Sequence, residues 1–494
     1  MGRTEDHRAV LDRHHHPLLD RDQHLKVEMN RAQQLYAIKK DLAGKRCVVV
    51  GMAATGMAAT EFLIKQGAAV IVSEQKTERE LGLGPSLKRL RALGAEVELG
   101  KHSARTFLGG DLIVLSPGVD PRIPPLEQAR EKGIPIVSEV ELASWFLTAP
   151  LIAITGTNGK STTTSLIGHI LSAWGKKVFV GGNIGTPLTA YLLQQEETGY
   201  IVAEISSFQL EAISSFRPWI ALLLNLGEDH LTRHPTLASY AAAKARIFFN
   251  QGPQDWAIIN ADDAAVKALI PHIRAQVVPF SRERDRQQGV WLEDRDTVVY
   301  KNGEKAERFA LARVKIKGMH NRENIMAAVA TATICGVPRA VIQESLESFA
   351  GLEHRLELVG EWNGVRVYND SKATNVASAV TALLALEGPI ILLAGGRDKG
   401  GAYAPLRRVI EERVKILILM GEAQSRMQEA LQGPIPIHPV AGMKEGVQLA
   451  WRLANPGDTI LLSPACSSFD MFENFEERGR VFKNLVLNFA KEEG

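Results

Sequence analysis

Short apolar runs recur along the chain, each followed by a turn and then by apolar positions at helical spacing. The first run, Arg46–Val50, closes on Gly51 and leads through the turn Gly51-Met-Ala-Ala-Thr-Gly56 into a predicted helix, 57–66, that Gly67 stops. A second strand follows at Ala69–Val72, with Glu74 just beyond it, and a third at Asp111–Leu115 ends in the turn Ser116-Pro117-Gly118. This βαβ pattern with an acidic residue after the second strand is the signature of nucleotide-binding folds, although Ala53 stands where G-x-G-x-x-G has its middle glycine. The same turn also serves plain βα packing. A second stretch of alternation starts at Leu151–Ile154 and runs to about Gly351. A third, from Leu352, carries strands at Val365–Tyr368, Ile390–Leu393, Ile416–Met420 and Thr459–Leu462, with a helix from about Asn375. Alternation throughout predicts an α/β protein of three domains built on parallel sheets.

Length agrees, since 494 residues correspond to roughly three domains at about 150 residues each. The 45% apolar and 23% charged residues exclude disorder, collagen and coiled coil for the whole chain. A net charge of +2 gives no reason to expect nucleic acid as a partner. No apolar run approaches the roughly 18 residues of a membrane span. Three distant cysteines, Cys47, Cys335 and Cys466, exclude a disulfide framework and fit a cytoplasmic protein. Residues 1–28 hold five histidines and little periodicity, and read as a solvated, disordered extension rather than a metal-binding tail; Met29 offers an alternative start.

The strongest chemical signal is Ile154-Thr-Gly-Thr-Asn-Gly-Lys-Ser-Thr162, an apolar strand running through a Gly-rich turn into a helix that carries Leu166, Ile167, Ile170, Leu171 and Trp174. Gly156 and Gly159 let backbone N–H groups close on phosphate oxygens, and the helix N-terminus adds partial positive charge. Lys160 would neutralise the terminal phosphates and Ser161 would ligate Mg²⁺. Ile154 stands where the strict P-loop pattern has its first glycine, so the loop is a shorter form. Glu204, directly after strand Tyr200–Ala203, suits a metal ligand or an exposed strand-end carboxylate. His230 follows strand Ile220–Leu224 and reads either as structural or as a ligand, and Lys244 on the predicted helix 240–249 reads as a solvated lysine. The residues alone reach a Mg²⁺–ATP enzyme and no further.

Taken in order, Thr155–Thr162, Glu204-Ile-Ser-Ser-Phe-Gln-Leu, Asn225 with Asp229-His230, His320-Asn321-Arg-Glu-Asn324 and His354-Arg355 resemble the Mur ligase family of ATP-dependent amino-acid ligases. Asn369-Asp370-Ser-Lys372-Ala-Thr374-Asn375, Gly395-Gly396-Arg-Asp-Lys399-Gly400 and the stretch Leu462–Phe475 resemble its D-glutamate-adding members, and the likeness spans about residues 40–490. The resemblance implies a UDP-binding Rossmann-like domain at 29–145, a central P-loop ATPase-like domain with a mostly parallel sheet at 146–351, and a Rossmann-like D-glutamate-binding domain at 352–494. It implies ATP and UDP-N-acetylmuramoyl-L-alanine as substrates with D-glutamate, two Mg²⁺ ions, and a cytoplasmic monomer. Carried over position by position, Gly156, Thr157, Asn158, Gly159, Lys160, Ser161 and Thr162 would cradle the ATP phosphates. Ser161 and Glu204 would hold one Mg²⁺, and His230 with a carbamylated Lys244 the other. Asn324, Arg355, Asp370 and Lys372 would contact the rest of ATP. Thr374, Lys399, Ser468 and Phe475 would form the D-glutamate pocket. Thr55, Glu74, Gln75, Lys76, Ser116, Gly118 and Asn183 would lie along the UDP-sugar. Glu74-Gln75-Lys76 replaces an Asp-Thr-Arg triplet of some relatives, keeping the order of acid and base. A ligase for another amino acid, a folate-type polyglutamate ligase and a P-loop switch ATPase are the competing readings.

Overall fold

The structure, a computed structural model, describes residues 35, 37–81, 84–227, 233–283, 288–386, 388–398 and 402–492. The extension at 1–28, His230 and Lys399 lie outside the described residues. Three sheets occupy the three stretches of alternation. By compactness the chain forms two units. The first runs to Phe146 and takes in Pro187–Gln194 and Ala212–Ser214, and the second holds the remainder.

The first unit is built on a parallel sheet of order β3-β2-β1-β4-β5, comprising β1 (Arg46–Val50), β2 (Ala69–Glu74), β3 (Glu96–Leu99), β4 (Leu112–Leu115) and β5 (Ile136–Ser138). Cys47–Val50 are completely buried, as an unbroken apolar run in a central strand requires. The order reverses between β1 and β4, and at such a point ligands sit beyond the carboxyl ends of the strands. The helix after β1 spans Ala54–Lys65, starting three residues earlier than the apolar pattern predicted because the Ala-rich turn forms its first turn. Its geometry explains which glycines matter. Gly51 has φ +97, and a Cβ on Gly56 would stand 1.9 Å from the Gly51 carbonyl oxygen. Ala53 has φ −70, which needs no glycine, and it is exposed at the helix entrance. Glu139, buried at the start of the short helix after β5, takes Thr189 N–H (2.6 Å) and Thr189 Oγ1 (2.8 Å) on one carboxylate oxygen. That pair fixes the segment 187–194 within this unit, and burial pushes the Glu139 carboxyl above the usual range.

The second unit carries two sheets. One has nine strands in the order β14-β13-β12-β11-β10-β9-β6-β8-β7, comprising β6 (Leu151–Thr155), β7 (Val178–Gly182), β8 (Tyr200–Glu204), β9 (Ile220–Leu223), β10 (Trp256–Asn260), β11 (Gln276–Ser281), β12 (Gly289–Asp294), β13 (Thr297–Asn302) and β14 (Lys305–Ala310). It is parallel from β7 to β12, and β13 and β14 extend it as an antiparallel meander, a departure from all-parallel alternation. The helices Lys160–Ala173 and Met319–Ile334 pack together in its core. The other sheet has the order β15-β16-β20-β17-β18-β19, with β15 (Glu357–Trp362), β16 (Val365–Asn369), β17 (Ile390–Gly395), β18 (Val414–Met420), β19 (Ile437–Pro439) and β20 (Thr459–Leu462). Only the β15–β16 pair in it is antiparallel. Helices Val376–Ala385 and Ala404–Arg413 join one apolar cluster of this sheet, and Met443–Leu453 and Phe475–Glu492 the other.

Cys47, Cys335 and Cys466 are all buried and unpaired with one another. Among the described residues no helix is long and apolar enough to cross a membrane. The close approach at Gly56 yields a test. Gly56→Ala forces the helix away from the Gly51 carbonyl and is expected to destabilise the chain by about 3 kcal/mol, whereas Ala53→Gly should change little. Urea unfolding of the two variants checks this, and equal midpoints would refute the packing argument.

Candidate active site

The β6–helix connection folds as a phosphate loop. Gly159, with φ +84, opens the helix Lys160–Ala173, and a Cβ there would lie 2.2 Å from Asn324 Oδ1. Glycine at this point therefore lets the helix Met319–Ile334 touch the loop. Asn324 Oδ1 accepts from Thr163 Oγ1 (3.2 Å), and its amide donates to Asn321 Oδ1 (3.1 Å). The loop is laced to the segment after β9: Asn158 N–H donates to Asn225 Oδ1 (2.8 Å), Asn225 Nδ2 to the Asn158 carbonyl (3.1 Å), and Gly227 N–H to Thr157 Oγ1 (2.9 Å). Lys160 Nζ curls over the loop onto the Gly156 and Thr157 carbonyls, at 2.9 Å each. Ser161 and Thr162 are buried in the first turn.

Glu204 ends β8 beside β6, in register with Ile154. It is 2% exposed, so the exposed strand-end reading does not hold. Its Oε2 accepts from Ser161 Oγ (2.6 Å) and its Oε1 from Asn183 Nδ2 (2.8 Å). Lys244 is 1% exposed, and the solvated-lysine reading fails with it. The helix Leu237–Ala245 turns this side chain inward, where Nζ donates to the Gly156 carbonyl (2.8 Å) and Thr155 Oγ1 (3.4 Å) and lies 4.6 Å from the centre of the Tyr240 ring. Two ammonium groups, from Lys160 and Lys244, thus converge on one carbonyl oxygen. Among the described residues no three His, Cys, Asp or Glu side chains cluster together. Ser161 and Glu204 offer paired oxygen donors of the kind a hard cation takes.

The third sheet faces the phosphate loop across a cavity that Asn158, Asn324, His320, Arg355, Asp370 and Lys372 help to line. Ser378 Oγ, on the helix Val376–Ala385, donates to Asn158 Oδ1 (3.2 Å) from the cavity's far side. Asp370, directly after β16, accepts from Leu356 N–H (3.1 Å) and Ser463 Oγ (2.9 Å). Burial pushes its carboxyl up to about 7, against the pull of Arg355, these bonds and Arg478. Burial, then Arg355, lowers Lys372 to about 8, while Glu204 raises it and Lys160 lowers it further. Burial and Arg355 likewise bring His320 down to about 4, so its ring is neutral. Lys372 Nζ lies 5.2 Å from the centre of the Phe475 ring. Thr374 follows Lys372 in the same loop, and Ser468 is buried beyond β20.

Sequence reasoning missed Arg478. On the helix Phe475–Glu492 it reads as a solvated cation, yet it is 1% exposed. Its Nε donates to Ser371 Oγ (3.0 Å), and its Nη2 to the carbonyls of Ser371 (2.8 Å) and Cys466 (3.1 Å). Ser371 Oγ in turn donates to the Phe475 carbonyl (2.8 Å). One side chain thereby ties together the loops that carry Asp370, Lys372, Ser468 and Phe475. No local pattern announces it.

The remaining predicted residues fall in the first unit, along the carboxyl edge of its sheet. Glu74 accepts from Met52 N–H and Lys76 N–H, at 3.0 Å each. Ser116 Oγ donates to the Gly51 carbonyl (3.4 Å). Thr55 lies in the first helical turn, Gln75 and Lys76 are exposed, and the Cα of Gly118 faces open space. Asn183 is the exception, since it sits on Glu204 in the second unit.

Residues 45–138 match the family description Mur ligase MurD-like N-terminal domain, 154–332 the Mur ligase middle domain, and 354–466 the Mur ligase glutamate ligase domain. The chain belongs to the Mur ligase family. Its curated relatives include the UDP-N-acetylmuramoylalanine--D-glutamate ligases of Geotalea uraniireducens, 48% identical over 90% of this chain and 98% of that protein, and of Geobacter sp. strain M21, 47% identical over the same shares. Among solved structures, MurF ligase from Thermotoga maritima in complex with ADP superposes with a TM-score of 0.59 at 14% identity, covering 92% of this chain and 97% of that one. UDP-N-acetylmuramate-alanine ligase MurC from the same organism gives 0.56 at 20% identity, covering 91% and 100%. Both structures share the fold.

The state of Asp370 has a measurable consequence. Its folded pKa of about 7 lies above an unfolded value of about 3.9, so the folded chain keeps a proton that the unfolded chain loses between them. The stability this proton confers is complete below the unfolded value and is lost as pH rises through about 7. Asp370→Asn should flatten that slope. Urea midpoints at about pH 5 and about pH 7.5 would then draw together relative to the parent chain. An unchanged difference would assign the slope to other groups.

Proposed function

We propose that this chain joins D-glutamate to the L-alanyl carboxyl of UDP-N-acetylmuramoyl-L-alanine, using ATP and releasing ADP and phosphate in peptidoglycan precursor synthesis. One observation carries the reading: the phosphate loop and the Asp370–Thr374 loop open onto a single cavity within the second unit. The name shared by relatives that match nine-tenths of the chain supports the choice of amino acid.

A carboxylate is a poor acylating group, and phosphorylation gives it a leaving group. The alanyl carboxylate oxygen attacks the γ-phosphorus, the bond to the bridging oxygen breaks, and ADP leaves. The D-glutamate amine then attacks the acyl carbon, loses a proton, and expels phosphate. Phosphoryl transfer is mostly positioning and charge neutralisation. In this reading Lys160, Lys372 and Arg355 supply positive charge, the Gly156–Thr162 backbone orients the phosphates, and Asn324 and Asp370 hold the remainder of ATP. Thr374, Lys399, Ser468 and Phe475 receive D-glutamate, and the edge from Thr55 to Gly118 takes the UDP-sugar. An acyl phosphate must be shielded from water.

The oxygen pair of Ser161 and Glu204 fits a first Mg²⁺. A carbamate on Lys244 would turn a second buried cation at the Gly156 carbonyl into an oxygen ligand, to be shared with His230. When bound, such ions supply charge compensation to the phosphate oxygens. The chain is read as a cytoplasmic monomer.

Two measurements test the proposal. Phosphate release should require ATP, Mg²⁺, UDP-N-acetylmuramoyl-L-alanine and D-glutamate together, and should fail when L-glutamate replaces its enantiomer. Release that ignores the UDP-sugar would favour a switch ATPase instead. Lys244→Ala should lose activity and regain part of it with added short carboxylic acids. A fully active variant would dispose of the carbamate.

A further inference from the structure

Beside the UDP-sugar edge of the first unit lies a hydrogen-bond relay that the proposed chemistry does not use. Ser73, at the carboxyl end of β2, is completely buried. Its Oγ donates to Glu98 Oε2 (3.1 Å) on β3 and lies 2.8 Å from His102 Nδ1. Glu98 also accepts from Ser103 N–H (3.2 Å), Ser103 Oγ (2.5 Å) and Thr106 Oγ1 (3.1 Å). Burial pushes the Glu98 carboxyl up, but these donors outweigh it and hold the group below the usual range. Glu98 is therefore an acceptor only. A hydroxyl has one proton to give, and Ser73 gives it to Glu98. Towards His102, then, Ser73 can only accept.

That fixes the tautomer of His102. Nδ1 carries the proton, and Nε2 presents a bare lone pair with no hydrogen-bond partner among the described residues. Burial holds the imidazole below its ordinary pKa, against the pull of Glu74 and Glu98, which keeps it neutral. Phe107 packs edge-on at 5.8 Å and restrains the ring. His102 comes three residues after β3, whose last residue, Leu99, pairs with Glu74. Both oxygens of Glu74 are already engaged by backbone N–H groups.

A nucleotide whose phosphates rest on the helix entrance at Ala53–Thr55 extends over the end of β2 towards β3. Its base then reaches the neighbourhood of Glu74 and His102. Uracil presents an imide N–H between two carbonyls. Cytosine presents a bare ring nitrogen at the same place. We propose that His102 Nε2 accepts the imide N–H of the uracil ring and so makes this unit choose a uridine over a cytidine nucleotide. The inference rests on reading the first unit as the UDP-sugar site. Against cytosine two lone pairs would face each other, which is the stronger kind of discrimination because neither group finds a partner.

The test uses the full chain with UMP and CMP as competitors of the UDP-sugar. UMP should bind at least about tenfold more tightly than CMP, the worth of one well-made hydrogen bond. His102→Phe should bring the two within about threefold and raise KM for the UDP-sugar about tenfold, leaving KM for ATP in place. Ser73→Ala, which frees the tautomer, should narrow the preference in the same direction and serves if the first variant does not melt cooperatively. A wild-type chain that binds UMP and CMP alike overturns the proposal, as does a folded variant that keeps the parental preference. Failure of the ligase reading would look different, as phosphate release that needs no UDP-sugar while the UMP-to-CMP ratio stands on its own.

Discussion

A carboxylate taken out of water has to be met by donors on both oxygens, and Glu204 imposes that requirement on the second unit. Its two partners come from different places, Ser161 from the first turn of the phosphate-loop helix and Asn183 from the turn after β7. Neither contact is local, and both depend on β8 lying between β6 and β7 in the sheet. The order of strands, the opening of the helix and the position of the turn are thus all bound up in satisfying one side chain. An ionised group left unpaired there would cost several kcal/mol. The same negative charge raises the proton affinity of Lys372, which lines one wall of the cavity.

On that wall the corresponding organiser is a cation. Arg478 is buried, its proton affinity is lowered to about 10 by loss of water, and it spends its donors on backbone carbonyls and a serine rather than on an acid. Carbonyl partners let it fix the shape of the loops that carry Asp370 and Lys372. A lysine, with a single nitrogen and no planar fork, has no second nitrogen to hold Ser371 Oγ while the first holds the two carbonyls.

Much of this was legible in the chain itself. The phosphate loop is a matter of glycines at fixed spacing next to an apolar run, and Glu204 stands at the end of the apolar strand Tyr200–Ala203. The alternation that gives three α/β domains is equally local. What could not be read depends on contacts far apart in sequence. Lys244 belongs to a helix that looks solvated, and only the Gly156 carbonyl, 88 residues away, shows otherwise. Arg478 meets Ser371 across 107 residues. The helix Met319–Ile334 is buried over most of its C-terminal half, so it lacks the polar stripe that periodicity detects. Ala53 looked like a defect in a motif, and its φ shows that the motif asks for glycine only where the backbone turns left-handed or meets another backbone carbonyl closely.

The three thiols have a consequence outside catalysis. Burial pushes Cys47 and Cys335 up to about 12, and it raises Cys466 as well. Alkylating reagents and peroxides act on thiolates within reach of solvent. This chain offers them none at neutral pH. It is therefore a ready host for a single engineered surface cysteine, to which a fluorophore or spin label could be attached without first removing the native ones.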